Sequence, residues 1–83
     1  MIQRQEANIV ATCKQFRDLR IDAGLARWEV SQQSDLSEAT IKNIEDGKSC
    51  REHNIAAAIR ALNELYYNQM QQHLKASELI IRD

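Results

Sequence analysis

The chain of 83 residues has no proline and only two glycines, so nothing in it forces a helix to break and few positions invite a sharp turn. Aromatic residues are scarce, with one Trp, one Phe and two Tyr, and the core must therefore be mainly aliphatic. Two cysteines, Cys13 and Cys50, are too few for a disulfide framework; without a secretory context they read as small buried or half-buried thiols in a reducing cytoplasm. His53 and His73 stand far apart, with no Cys or carboxylate at ligand spacing, which predicts no metal site. No apolar run approaches the roughly 20 residues needed to span a bilayer. The first residues, including Gln3, Arg4, Gln5 and Glu6, predict no secretory signal. An excess of either charge is also missing: 11 Lys+Arg face 12 Asp+Glu, a net charge of -1, which does not advertise nucleic-acid binding. No nucleophile–base set, pair of catalytic acids or phosphate loop appears, so neither an enzyme nor a cofactor is expected.

What is present favours helix. Gln, Ala, Leu, Ile and Arg abound, hydrophobics reach 43% and charged residues 28%, the proportions of a single soluble globular domain. The size is near the limit at which a core stabilises itself, so self-association is open. Ile9, Cys13, Phe16 and Leu19 recur every three to four residues, predicting a first helix over 2–22 that Gly24 ends. A second, short helix is expected over about 26–33, with Leu25 and Val30 inward. Ser37 then caps a third helix that runs to about Glu45 with Ile41 and Ile44 inward, and Asp46-Gly47 closes it. Beyond a polar loop, residues 48–52, the apolar spacing resumes at Ile55, Ile59 and Leu62 and continues through Leu65, Tyr66, Met70, Leu74, Ile80 and Ile81. This spacing predicts one long helix over 52–83, or two with a break at Asn63. Such a helix cannot bury its apolar stripe alone, so those last six residues are expected to pack on the first helix or, preferably, to form a homodimer seam over about 63–82. The predicted fold class is all-α: a compact four- to five-helix domain with an extended first helix and a long last one.

Two short helices with a tight turn form a helix-turn-helix, here at about 26–46. Leu19-Arg20, Ala23-Gly24-Leu25, Glu29-Val30-Ser31, Leu36-Ser37, Thr40-Ile41, Ile44-Glu45 and Gly47-Lys48 resemble the lambda-repressor-like (Cro-type, XRE) helix-turn-helix family. The resemblance covers about residues 16–62 and is strongest from Leu36 onward, where the chain follows the pattern xSxxTIxxIExGK. It implies a cytoplasmic transcription regulator whose third helix enters the major groove of a double-stranded DNA operator. The implied base readers are Ser37, Glu38, Ala39, Thr40, Lys42 and Asn43. Asn43 suits adenine, Lys42 guanine, Glu38 cytosine and Ala39 a thymine methyl. Arg27, Gln32, Lys48 and Arg51 are implied phosphate contacts, which position the protein without specifying sequence. The family also pairs an Arg late in the first helix with the Glu that ends the third, here Arg20 and Glu45, a structural ion pair.

There are departures from the family pattern. Asp35 stands at the usual turn glycine, and Ala26 replaces the usual Thr cap, leaving out a cap worth about 1 kcal/mol. Residues 1–50 hold seven Lys+Arg and eight Asp+Glu, so the implied DNA-binding half is about neutral. Trp28 occupies a position the family usually keeps polar; it either packs on a neighbouring side chain or anchors a partner. Two functions follow. One is a small homodimeric repressor or activator-repressor that reads a near-palindromic operator and has no domain for sensing a small molecule. The other is a protein-interaction module that keeps the scaffold and binds another protein.

Overall fold

A computed structural model describes residues 9–82. It is a mostly helical small domain with a three-stranded antiparallel sheet. In chain order, strand β1 (Val10–Thr12) leads to helices α1 (Phe16–Asp22), α2 (Arg27–Ser34) and α3 (Glu38–Glu45). Strand β2 (Cys50–Arg51) runs directly into α4 (Glu52–Leu62), which ends in a π-helical turn, Asn63–Tyr67. A short helix, α5 (Ala76–Leu79), and strand β3 (Ile81–Arg82) complete the fold.

The three central helices follow the sequence closely. Ser37 sits in extended backbone and its hydroxyl accepts the Thr40 N–H at 3.1 Å, capping α3. Gly47 (φ 77°) closes α3 in the left-handed region, where a side chain would be strained. Asp35 takes that same conformation (φ 65°) at the turn between α2 and α3. The turn is tied by Ser31, whose hydroxyl donates to the Leu36 carbonyl, and by Ser34, whose hydroxyl accepts the Leu36 N–H at 3.3 Å. Ala26 holds the extended geometry of an N-cap without a side-chain acceptor. Half of the capping box survives, because the Glu29 carboxylate accepts the Ala26 N–H at 2.7 Å.

The core joins all these elements. Cys13, Phe16, Val30, Ile41, Ile44, Ile55, Ile59 and Leu62 are its largest fully buried side chains, and burial of each large apolar group contributes about 1.5–3 kcal/mol. Tyr67 is buried too; its hydroxyl donates to the Leu19 carbonyl at 3.3 Å, and its ring meets Tyr66 edge-on. α2 packs against both α3 and α4.

Both ends of the chain depart from the all-α expectation. The first helix begins at Phe16, not near residue 2, and the predicted stretch 2–8 lies outside the described residues. Val10–Thr12 is the central strand of the sheet. Ala11 stands opposite Cys50 on one side and Arg82 on the other, while Val10 faces Arg51 and Thr12 faces Ile81. The apolar spacing Ile9, Cys13, Phe16 fits a helix, but Ala11, Thr12 and Cys13 are all buried in succession, as in a strand with neighbours on both edges. β-branched Ile9, Val10 and Thr12 favour that choice once two partner strands are available.

The long last helix is likewise not formed. The chain leaves it after the π-helical turn, and Gln71 (φ 58°) reverses it in the left-handed region. Asn63 has helical backbone (φ −60°) and is no left-handed cap. Its side chain clasps the returning segment instead: the amide donates to the Leu74 carbonyl at 3.0 Å and accepts the Leu74 N–H at 2.7 Å. The returning segment lays Leu74, Ala76, Leu79 and Ile80 on the core. Arg82 pairs with Glu52, Nη2 lying 2.9 Å from the carboxylate.

Candidate nucleic-acid interface

α3 presents two faces. Ile41, Ile44 and Glu45 are buried, whereas Glu38, Ala39, Lys42 and Asn43 are exposed, as is Ser37 at the cap. Thr40 is half-buried and shares a 2.9 Å hydrogen bond between its hydroxyl and that of Ser37. The structure therefore gathers the six expected base readers on one side of one helix and its cap. Lys42 reaches along the helix to Asp46 at 2.9 Å, and this contact holds the Asp46 carboxyl below its ordinary pKa. Both partners are well exposed, and ion pairs of this kind are weakly held.

The orientation of α3 is fixed by Glu45, whose side chain is fully buried. Arg20 of α1 pairs with it through Nε, and Arg20 Nη2 adds a contact at 3.2 Å. Arg20 Nη1 donates to the Leu25 carbonyl at 2.7 Å, so one guanidinium ties α1, the α1–α2 turn and α3 together. The Arg20–Glu45 pair implied by the resemblance is thus present. Arg27 is a second cation on the same carboxylate, at 2.9 Å. That contact raises the Arg27 pKa above its ordinary value. Arg27 is thus tied to Glu45 through Nε, while its side chain stays 38% exposed. The charge balance gives the reason: a fully buried carboxylate against the N-terminus of α2 draws in the nearest cation.

The other expected phosphate residues, Gln32, Lys48 and Arg51, are exposed. Lys48 and Arg51 lie in the connection between α3 and α4, and Gln32 lies on α2. The six residues expected at a dimer seam are not on one surface. Leu65, Tyr66, Leu74 and Ile80 pack against this domain's own core, and only Met70 and Ile81 are strongly exposed. Four of the six are thus partly buried within their own domain, two of them, Leu74 and Ile80, on the returning segment itself.

Other chemistry is weak in the described residues. Both cysteines are free, and burial pushes both thiols above their ordinary pKa, toward the less nucleophilic form. Among the described residues no group of three His, Cys, Asp or Glu side chains is placed to hold a metal ion, and no helix is long and apolar enough to cross a membrane. A surface cavity of about 490 Å³ lies between α4 and the C-terminal segment; its charged lining residues, Glu52 and Arg82, are already paired. Sequence reasoning missed three features here: the second cation on Glu45, the Asn63 clasp and the Glu52–Arg82 bridge. All three join residues far apart in sequence or depend on a turn whose direction no local pattern specifies.

No protein-family model matches the chain, and comparison with curated proteins and with solved structures finds no match.

Proposed function

We propose that the protein is a sequence-specific double-stranded DNA-binding regulator that reads bases with the outer face of α3. The observation that carries this reading is the division of α3. Five polar or small side chains, from Ser37, Glu38, Ala39, Lys42 and Asn43, face solvent together, while the opposite face is anchored through Ile41, Ile44 and the doubly paired Glu45. A rigidly held helix with a free polar face meets the geometric need of the major groove. The exposed Lys42–Asp46 pair exchanges readily for a guanine edge. Gln32, Lys48 and Arg51 supply the phosphate contacts, and Arg27 acts as a brace.

The reading supposes a homodimer on a near-palindromic operator, with recognition helices about one turn of DNA apart, roughly 34 Å. Selection from a random duplex pool tests it. A single enriched motif is expected, and Asn43→Ala and Lys42→Ala should each weaken binding to that motif about tenfold or more without changing the helical content. No enrichment above the starting pool would sink the reading.

A second reading, a protein-interaction module, is favoured by one observation. The helix-turn-helix half has no net positive charge, and one of its cations, Arg27, is paired with Glu45. Under that reading, α3 substitutions leave regulation untouched.

A further inference from the structure

Trp28 is the only tryptophan in the chain and remains 53% exposed on α2. A shallow surface cavity of about 370 Å³ lies beside it, lined by Trp28, Glu29, Gln32, Gln33 and Leu65. Gln33 donates to the exposed Glu64 carboxylate at 2.9 Å, which places a second acid at the rim. No cation lines the cavity, and Arg27, the neighbour of Trp28 in sequence, is held on Glu45.

The charges select the occupant. An anionic group filling the cavity would meet Glu29 and Glu64 with no lining cation to offset them; the neutral Gln32 amide alone is shared with the expected DNA-backbone contacts. A second copy meeting this face through a two-fold axis would oppose the same acids to each other. A cationic side chain satisfies both features at once, because a guanidinium stacks on an indole face while its N–H groups reach carboxylates. We propose that the Trp28 face of α2 is a docking site for a partner protein's segment that presents an arginine beside an aliphatic residue, the arginine on Trp28 and the aliphatic chain on Leu65. Exposed tryptophan in a shallow, polar-rimmed cavity is the usual composition of an interface anchor. The site does not depend on DNA reading by α3, since the two sets of residues share only Gln32.

The test uses the full chain and a dye-labelled octapeptide of alternating arginine and leucine, with lysine and glutamate versions as controls, followed by fluorescence anisotropy. Saturable binding is expected in the order arginine, then lysine, with none for glutamate. Trp28→Ala should weaken it about tenfold, the scale of an anchor residue. Glu29→Gln with Glu64→Gln should weaken it while leaving the Ala26 N–H an acceptor. Asn43→Ala should leave it unchanged, which separates failure of this site from failure of DNA reading. The single indole N–H resonance gives a second readout and should shift only with the basic peptides. Unchanged affinity in Trp28→Ala overturns the proposal. So does an indole resonance that moves with protein concentration alone, the mark of a second copy, or with duplex DNA alone.

Discussion

Replacing Arg20 with alanine leaves a fully buried carboxylate, Glu45, with one cation in place of two, and strips the Leu25 carbonyl of its donor. Breaking a buried pair costs about 3–5 kcal/mol when the remaining charge is left unpaired; with Arg27 still on Glu45, the lower end, about 3 kcal/mol, is expected. A domain of this length has roughly 4–12 kcal/mol of stability at the usual 0.05–0.15 kcal/mol per residue. The substitution therefore removes a quarter or more of the total, and the thermal midpoint should fall by about 12 °C or more. Deleting the whole pair, as in Arg20→Met with Glu45→Met, should recover much of the loss, since an apolar replacement removes the stranded charge. Arg27, 38% exposed, then turns to water. Urea unfolding of wild type, Arg20→Met, Glu45→Met and the double variant supplies the cycle, with Arg20→Ala measured beside them. A cost below about 1 kcal/mol for Arg20→Ala, or a double variant no more stable than either single one, would refute the reasoning.

Three further outcomes are expected. Ala26→Ser restores the missing cap in backbone already extended for it and should add about 1 kcal/mol, raising the thermal midpoint by about 4–8 °C. Asn63→Ala removes both hydrogen bonds to Leu74, a loss of about 1–3 kcal/mol; amide exchange should accelerate first at Leu74 and the segment after it, with α3 protected longer. Arg82 holds the Glu52 carboxyl below its ordinary pKa of 4.5, so the stability from this pair is fully present above that value and is lost as pH falls through the lowered one. Arg82→Gln should thus be less stable than wild type at neutral pH, with the gap closing in chemical unfolding as pH falls below 4.5 through the lowered pKa.

Local rules made the middle of the molecule legible. The Ser37 cap, the Gly47 stop, the left-handed turn residue Asp35 and the inward Ile41 and Ile44 are short-range consequences of backbone chemistry and helical period. The ends were not legible for the same reason. Ile9, Cys13 and Phe16 satisfy a helical period, and only the arrival of Cys50 and Arg82 on either side of Ala11 makes Val10–Thr12 a strand. In the C-terminal third, four of the marked apolar positions are partly buried while Met70 and Ile81 are exposed, and their spacing says nothing about a reversal at Gln71. That reversal returns Leu74 and Ile80 to the domain that carries them. At the candidate site, residue types identified the exposed face of α3. That Arg27 also pairs with Glu45 was set by the burial of a carboxylate 18 positions away.

The central claim is tested most directly by equilibrium binding to the duplex upstream of the coding sequence, against a scrambled duplex, at several salt concentrations. DNA reading by α3 predicts clear preference for the native duplex. With Lys48 and Arg51 as the charged phosphate contacts, log K should fall with log salt at a shallow slope of about −2 per bound protomer. Equal affinity for native and scrambled duplexes, with binding abolished by moderate salt, would contradict it.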